Sequence, residues 1–159
     1  MYNKIASGYN ELYEEEQLKK LKIIKDNIKV NITDKLLDIG CGTGISTNYF
    51  KCKSTGIDNS KEMIKNGKGN LIYGSYENLP FEDHSFDIIL CITAVHHFIN
   101  LQKFIDEIKR VIKPNNQIVI TILKKSLKTD YIRNKLLLNF IFVNGINEEK
   151  DIILIMKYI

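Results

Sequence analysis

Apolar residues along this chain fall into short runs separated by glycines or polar turns, and the runs differ in period. Between Gln17 and Ile28, the residues Leu18, Leu21, Ile24 and Ile28 stand three or four apart with lysines among them, the spacing of one apolar stripe on a helix. Lys35 to Ile39 is a short apolar run ending on glycines, and Ser46 to Lys51 reads as the start of a helix, so this stretch predicts strand, tight loop and helix. Ser54 to Ile57 predicts a second strand. Ser60 is placed to cap a short helix over Lys61 to Asn66, with Glu62 in its first turn and Gly67 closing it. Leu71 to Tyr73 predicts a third strand. Phe86 to Ile92 is nearly all apolar and branched, as a strand covered on both faces must be. Leu101, Phe104, Ile105, Ile108 and Ile112 then share a helical face that Pro114 stops. Gln117 to Leu123 predicts another buried strand and Thr129 to Phe140 a helix. Phe142 to Asn147 and Asp151 to Tyr158 predict one or two strands that close the sheet.

Strands alternating with helices predict an α/β fold with a doubly wound, mostly parallel sheet and right-handed crossovers. The 159 residues fit one domain, since a single core holds about 100–200 residues. Residues 1–30 precede the first strand and read as an N-terminal cap, in which Tyr2, Tyr9 and Tyr13 can fold over a pocket.

Composition chiefly removes alternatives. With 44% hydrophobic and 26% charged residues, the chain has the make-up of an ordinary globular domain. Its longest apolar runs, such as Ile118 to Leu123 and Ile152 to Met156, fall short of the roughly 18–20 residues of a membrane span. Met1-Tyr2-Asn3-Lys4 opens no signal-peptide core, so a cytoplasmic location away from the membrane is expected. Cys41, Cys52 and Cys91 form no CxxC pair and have no histidine at ligand spacing, so neither a disulfide framework nor a metal site is expected. The net charge of +4 comes from lysines spread along the chain, which disfavours a nucleic-acid groove.

In an open α/β sheet, ligands bind beyond the carboxyl ends of the strands, which directs attention to Asp38-Ile39-Gly40-Cys41-Gly42-Thr43-Gly44. A dinucleotide fingerprint places its third glycine at the sixth position of G-x-G-x-x-G. That position is Ile45, and the third glycine comes one residue early. A pyrophosphate would be repelled by Asp38 beside the loop, whereas an ammonium group would be attracted to it. Asp58, about 20 residues further on, stands where a carboxylate can accept ribose hydroxyls. A nucleoside joined to an amino acid satisfies both requirements.

The ordered segments LLDIGCGTG, GIDNSKEMI, YGSYENLPFEDHSFDIIL and RVIKPNNQIVITI together resemble the class I S-adenosylmethionine-dependent methyltransferases of the ubiquinone/menaquinone-biosynthesis-like group. The resemblance covers about Ile5 to Leu123 and implies a seven-stranded Rossmann-like sheet of order 3-2-1-4-5-7-6. It further implies that S-adenosyl-L-methionine is the cofactor and S-adenosyl-L-homocysteine the product. Asp38 and the backbone of Gly40, Cys41 and Gly42 would hold the methionine part, Asp58 the ribose, and Asn59 and Met63 would border the nucleoside. Tyr9 from the cap and Cys91 at the end of the apolar strand would stand near the same ligand. The family usually has an acidic residue after the glycine of YGSYENLPF for the adenine amino group, and here that residue is Ser75, followed by Tyr76 and Glu77. Serine can accept one hydrogen bond there, and the Tyr76 ring can stack.

Methyl transfer is an in-line displacement that asks mainly for alignment, with a base only for acceptors that carry a proton. His96 and His97, just beyond the central strand, lie where the family places its acceptor-facing loop, and a histidine can take a proton near neutral pH. The sequence Cys91-Ile92-Thr93-Ala94-Val95-His96 lacks the N/D-P-P-Y segment that would resemble amino-methylating enzymes. The expectation is therefore a small-molecule acceptor methylated at oxygen, sulfur or carbon. Methylation of RNA, or a catalytically silent fold that serves a protein partner, are the competing readings. With so short a cap, an open pocket can be completed by a second copy or a partner protein.

Overall fold

The computed structural model describes the backbone of residues 2–159 and the side chains of residues 11–159. Seven strands, β1 (Lys35–Ile39), β2 (Lys53–Asp58), β3 (Leu71–Tyr73), β4 (Phe86–Cys91), β5 (Ile112–Leu123), β6 (Ile141–Asn147) and β7 (Asp151–Lys157), form one sheet. Four helices accompany them: α1 (Tyr2–Asn27), α2 (Lys61–Asn66), α3 (Leu101–Val111) and α4 (Thr129–Asn139). The strand order is β3-β2-β1-β4-β5-β7-β6, as the resemblance implies. Pairings are parallel from β3 through β5, and β7 enters antiparallel between β5 and β6.

Alternation along the buried strands divides the core into two layers. Leu37, Ile39, Ile89, Cys91, Ile118, Ile120, Leu154 and Met156 face Phe104, Ile105 and Ile108 of α3 and Ile132 and Leu136 of α4. Their neighbours Leu36, Ile88, Leu90, Val119, Ile153 and Ile155 face Leu21 and Ile24 of α1, with Phe50. Counting by twos from the second layer also puts Asp38, Thr121 and Asp151 on the α1 face, and all three are fully buried. The apolar stripe of α1 is rotated from its sequence expectation. Leu18 is 40% exposed, while Gln17 and Lys20 are buried beside Leu21 and Ile24. A polar cluster beneath the helix, described below, accounts for the rotation.

Two local expectations need correction. Ser46 to Lys51 makes turns rather than a helix; a single bond of helical spacing, Asn48 N–H to Gly44 C=O at 3.0 Å, forms and is not propagated. The hydroxyls of Ser46 and Thr47 turn inward to Asp38 and the Asn48 amide donates to Gly44 and Lys68 carbonyls, side-chain bonds that compete with a helix. The second concerns Pro114. Helix α3 ends at Val111 and β5 begins at once, so Pro114 lies within the strand's irregular first half, where Asn115 adopts φ +57°.

At the sheet's far edge the 136–142 segment is mixed: Leu136 and Phe140 are buried, and Leu137, Leu138, Ile141 and Phe142 are exposed. No helix among the described residues is long and apolar enough to cross a membrane.

Candidate active site

The carboxyl ends of β1, β2 and β4 meet around the glycine loop. Gly40, Gly42 and Gly44 have φ of +76°, +56° and +93°, a region that costs other L-residues dearly. At Gly40 space is equally restrictive, because a Cβ would lie 2.7 Å from that of Ala94. Gly42 is the opposite case, with nothing within 4 Å of where its Cβ would be, so its backbone faces open space. The N–H groups of the loop are spent internally. Gly40 and Cys41 donate to Ile57 C=O at 2.8 and 3.1 Å and Gly44 to Cys41 C=O at 3.0 Å, while Gly42 donates to Asp58 Oδ2 at 2.8 Å. A phosphate cradle needs such donors free, and these four are not.

The two acids have different settings. Asp58 is half-buried; besides Gly42 it accepts from Ser60 N–H through Oδ1 at 2.9 Å, so it ties the β1 loop to the start of α2. Carboxylate oxygens have spare lone pairs, which leaves capacity for further hydroxyl donors. Asp38 is fully buried. Its Oδ2 accepts from Ser46 Oγ at 2.5 Å and Thr47 Oγ1 at 2.8 Å, while Oδ1 is buried with no partner. Burial pushes its pKa up to about 6, against the lowering effect of the two hydroxyls, with Asp58 adding a little in the raising direction. A buried carboxylate oxygen without a donor is costly. Ser46 and Thr47, where the sequence predicts the start of a helix, instead hold Asp38.

The remaining nucleoside-side residues are spread along the rim. Asn59 and Ser75 are exposed and Met63 is 41% exposed. Ser75 Oγ already accepts from Glu77 N–H at 3.0 Å, in a local turn. The Tyr76 ring stacks on Phe98 at 4.0 Å between centroids, and its hydroxyl accepts from Asn100 N–H at 3.0 Å. Cys41 and Cys91 are buried. The Cys41 side chain packs toward Gly56 of β2, and burial, with Asp38 and Asp58 nearby, pushes its thiol up to about 12. Cys91 lies in the α3-side core, where burial raises its pKa well above the ordinary thiol value; neither cysteine is a reactive thiolate. Tyr9 lies outside the described side chains.

Where the resemblance implies the acceptor-facing loop, Ala94 leads into a one-turn 3-10 helix, Val95–His97. His96 is half-buried and His97 exposed, their rings tilted at 46° and 4.0 Å apart. Burial lowers the pKa of His96, and His97 adds to this, which favours the neutral ring; its Nδ1 is buried and unpartnered. The turn is entered through Thr93 at φ +51°, a conformation that costs a β-branched residue roughly 1–3 kcal/mol. Sequence reading missed what holds it. Thr93 N–H donates to Thr121 Oγ1 at 2.7 Å, and the hydroxyls of Thr93 and Thr121 both donate to Asp151 Oδ2, at 2.6 and 2.9 Å. Lys20 Nζ donates to Thr93 Oγ1 at 3.1 Å and pairs with Asp151 Oδ2 at 3.3 Å. A buried acid opening the mostly apolar strand DIILIMK was the available signal for this cluster.

A cleft of about 520 Å³ opens at the opposite rim, lined among others by Lys35, Lys53, Asn70 and Phe81. It adjoins the amino ends of β1 and β2 and shares nothing with the glycine loop. Among the described residues no His/Cys/Asp/Glu group could hold a metal ion.

The profile of the family described as "Methyltransferase domain" matches residues 37–120, more than half of the chain. The chain belongs to this methyltransferase family. Within it, a demethylmenaquinone methyltransferase of Thermotoga maritima is 31% identical over 109 residues, covering 62% of this chain and 47% of the relative. An uncharacterized Methanocaldococcus jannaschii protein, MJ1252, is 32% identical over 76% of this chain and 49% of its own length. The chain thus spans about half the length of these curated relatives. Among solved structures, a TehB-like SAM-dependent methyltransferase of Corynebacterium glutamicum superposes with a TM-score of 0.74 at 14% identity, covering 99% of this chain and all of that one. At that identity the likeness concerns the fold, and it places this methyltransferase chain among the class I, Rossmann-like sheets.

Proposed function

We propose that this methyltransferase takes the methyl group of S-adenosyl-L-methionine, passes it to oxygen, sulfur or carbon of a small molecule, and leaves S-adenosyl-L-homocysteine. The observation that carries the reading is the unpartnered, buried Asp38 Oδ1 beside a loop whose glycine N–H groups are occupied. Such a site suits a ligand that brings an ammonium and repels one that brings phosphate. The residues fit the cofactor: Asp38 would receive the amino-acid end, the open backbone at Gly42 would lie under the chain, and Asp58 would accept ribose hydroxyls. When bound, the cofactor supplies a methyl carbon already activated by a sulfonium.

The chain's own part is then alignment and proton handling. Neutral His96 takes the proton of a hydroxyl or thiol acceptor. The relative named demethylmenaquinone methyltransferase acts, by that name, on a small molecule, which supports the same acceptor class here. One domain, with the residues before β1 as its cap, is the organisation that accompanies this reading.

Calorimetric titration with S-adenosyl-L-methionine and S-adenosyl-L-homocysteine tests the cofactor claim. Saturable heat and a raised melting temperature are expected, and no heat or thermal shift at millimolar ligand would overturn it. A transfer screen of cell extracts with tritium-labelled cofactor tests the acceptor: label in a small, nuclease-resistant fraction supports the reading, and label lost to ribonuclease transfers it to RNA.

A further inference from the structure

The Lys20–Asp151 pair is more deeply buried than the other described ion pairs, with the two side chains 3% and 0% exposed. Burying two charges is expensive, and apolar residues in their place are often no less stable. A pair retained there calls for a role besides holding α1 to the sheet, and its connections indicate one. Neither partner closes on the other alone. Both reach the Thr93 hydroxyl, Lys20 Nζ as donor and Asp151 Oδ2 as acceptor, and Thr121 completes the set by accepting from Thr93 N–H. Thr93 is the residue whose backbone is turned to positive φ. It opens the segment in which Ala94 abuts Gly40 and His96 and His97 follow in the 3-10 turn. Strained residues of this kind persist where their surroundings over-determine them, and they cluster at functional sites.

We propose that Lys20 and Asp151 are positioning residues which, acting through Thr93, hold the acceptor-facing turn against Gly40 and thereby couple docking of the N-terminal helix to the geometry of the cofactor loop. This rests on reading the carboxyl rim as the cofactor site. The cluster joins four parts of the chain that approach one another only in the folded state: α1 supplies the cation, β7 the anion, β5 the Thr121 hydroxyl, and the residues after β4 the turn. The antiparallel direction of β7 brings its first residue to the carboxyl rim, where Asp151 stands opposite Leu123 at the end of β5. His96 lies within the same electrostatic neighbourhood. Asp151, Lys20 and Lys128 all act on it, together with His97 of its own turn, so its titration reports on where the turn sits.

Thr93→Val keeps shape and charge while removing the hydroxyl, and Thr93→Ser keeps the hydroxyl. Each variant is titrated with S-adenosyl-L-homocysteine by calorimetry, and the His96 ring resonance is followed against pH by NMR. Thr93→Val loses the bonds to both Lys20 and Asp151 and is expected to bind about tenfold more weakly. Its His96 pKa is expected to rise toward the ordinary value as the turn leaves its half-buried seat, and Thr93→Ser should match the parent in both. Lys20→Met/Asp151→Asn removes both charges together and is expected to behave as Thr93→Val. A folded Thr93→Val protein with parental affinity and a parental His96 titration would overturn the proposal and leave the pair a structural one. If the parent itself binds no S-adenosyl-L-homocysteine, the cofactor reading fails by itself, and the His96 titration alone decides for or against the positioning role.

Discussion

The two halves of the proposed site, for cofactor and for acceptor, are built in different ways. On the cofactor side, the side chains that bond to one another are near neighbours in the chain: Asp38 meets Ser46 and Thr47 eight and nine residues on, and Asp58 meets the Gly42 backbone sixteen residues away. On the acceptor side, Thr93 is held from 73 residues before it and 58 after it. A local cluster is assembled by one strand–loop–strand unit and is complete once β1 and β2 pair. The acceptor cluster needs α1, β4, β5 and β7 to be in place, so it depends on the whole sheet having closed. The cofactor half is accordingly the part that one short piece of sequence can specify, and the acceptor half is the part that distant changes can disturb.

The largest effect expected from a single change is on the cofactor half. Asp58→Ala removes a charged acceptor from two backbone N–H groups as well as from the ligand's hydroxyls, and at about 1.5–3 kcal/mol for each hydrogen bond to a charged group it should cost S-adenosyl-L-homocysteine at least about a hundredfold in affinity by calorimetry. An unchanged affinity would show that Asp58 serves only the loop. Next come Gly40→Ala and Gly42→Ala, which separate the seam from the open side. Gly40→Ala has positive φ and a 2.7 Å clash with Ala94, so its melting temperature should fall more than that of Gly42→Ala, which meets no atom and bears only the strain, roughly 1–2 kcal/mol. Equal melting temperatures would mean that the turn yields freely and that the two halves are not coupled there.

The smallest expected change in affinity is a pH dependence. The folded pKa of Asp38, about 6, lies above the ordinary value of 3.8, so the folded state favours the protonated acid. Its contribution to stability is greatest below about pH 4 and declines as pH rises toward 6, by about 3 kcal/mol in total at 1.4 kcal/mol per pH unit. Binding an ammonium reverses the preference. Affinity for S-adenosyl-L-methionine should rise from pH 5 to 7 and then level off, with proton release near pH 6 detectable from calorimetry in buffers of different ionisation heat. Asp38→Asn should bind more weakly and lose that release; if the release persists, another group is titrating.

Much of the fold was legible from period alone. The runs at Lys35–Ile39 and Leu71–Tyr73 and the Ser60-capped helix at Lys61–Asn66 lie where the apolar runs and the cap put them, because each is marked by residues adjacent in the chain. Where a distant partner competes, the local pattern misleads. Ser46 and Thr47 look like a helix start and instead bond Asp38, and Lys20 looks like the solvent face of an amphipathic helix yet is drawn inward by Asp151.

The sequence by itself determined an α/β domain whose four ordered motifs resemble methyltransferases, and it directed attention to the loop at Asp38 to Gly44, since strand period, glycine spacing and the placement of two acids are properties of contiguous residues. Tertiary structure alone decided which polar groups are spent and which remain free. Burial leaves Asp38 Oδ1 without a donor and lowers the pKa of His96, and the antiparallel last strand carries Asp151 to the rim. The physical reason is that desolvation and hydrogen-bond satisfaction depend on what packs against a group from every side, and for Thr93 those neighbours come from opposite ends of the chain.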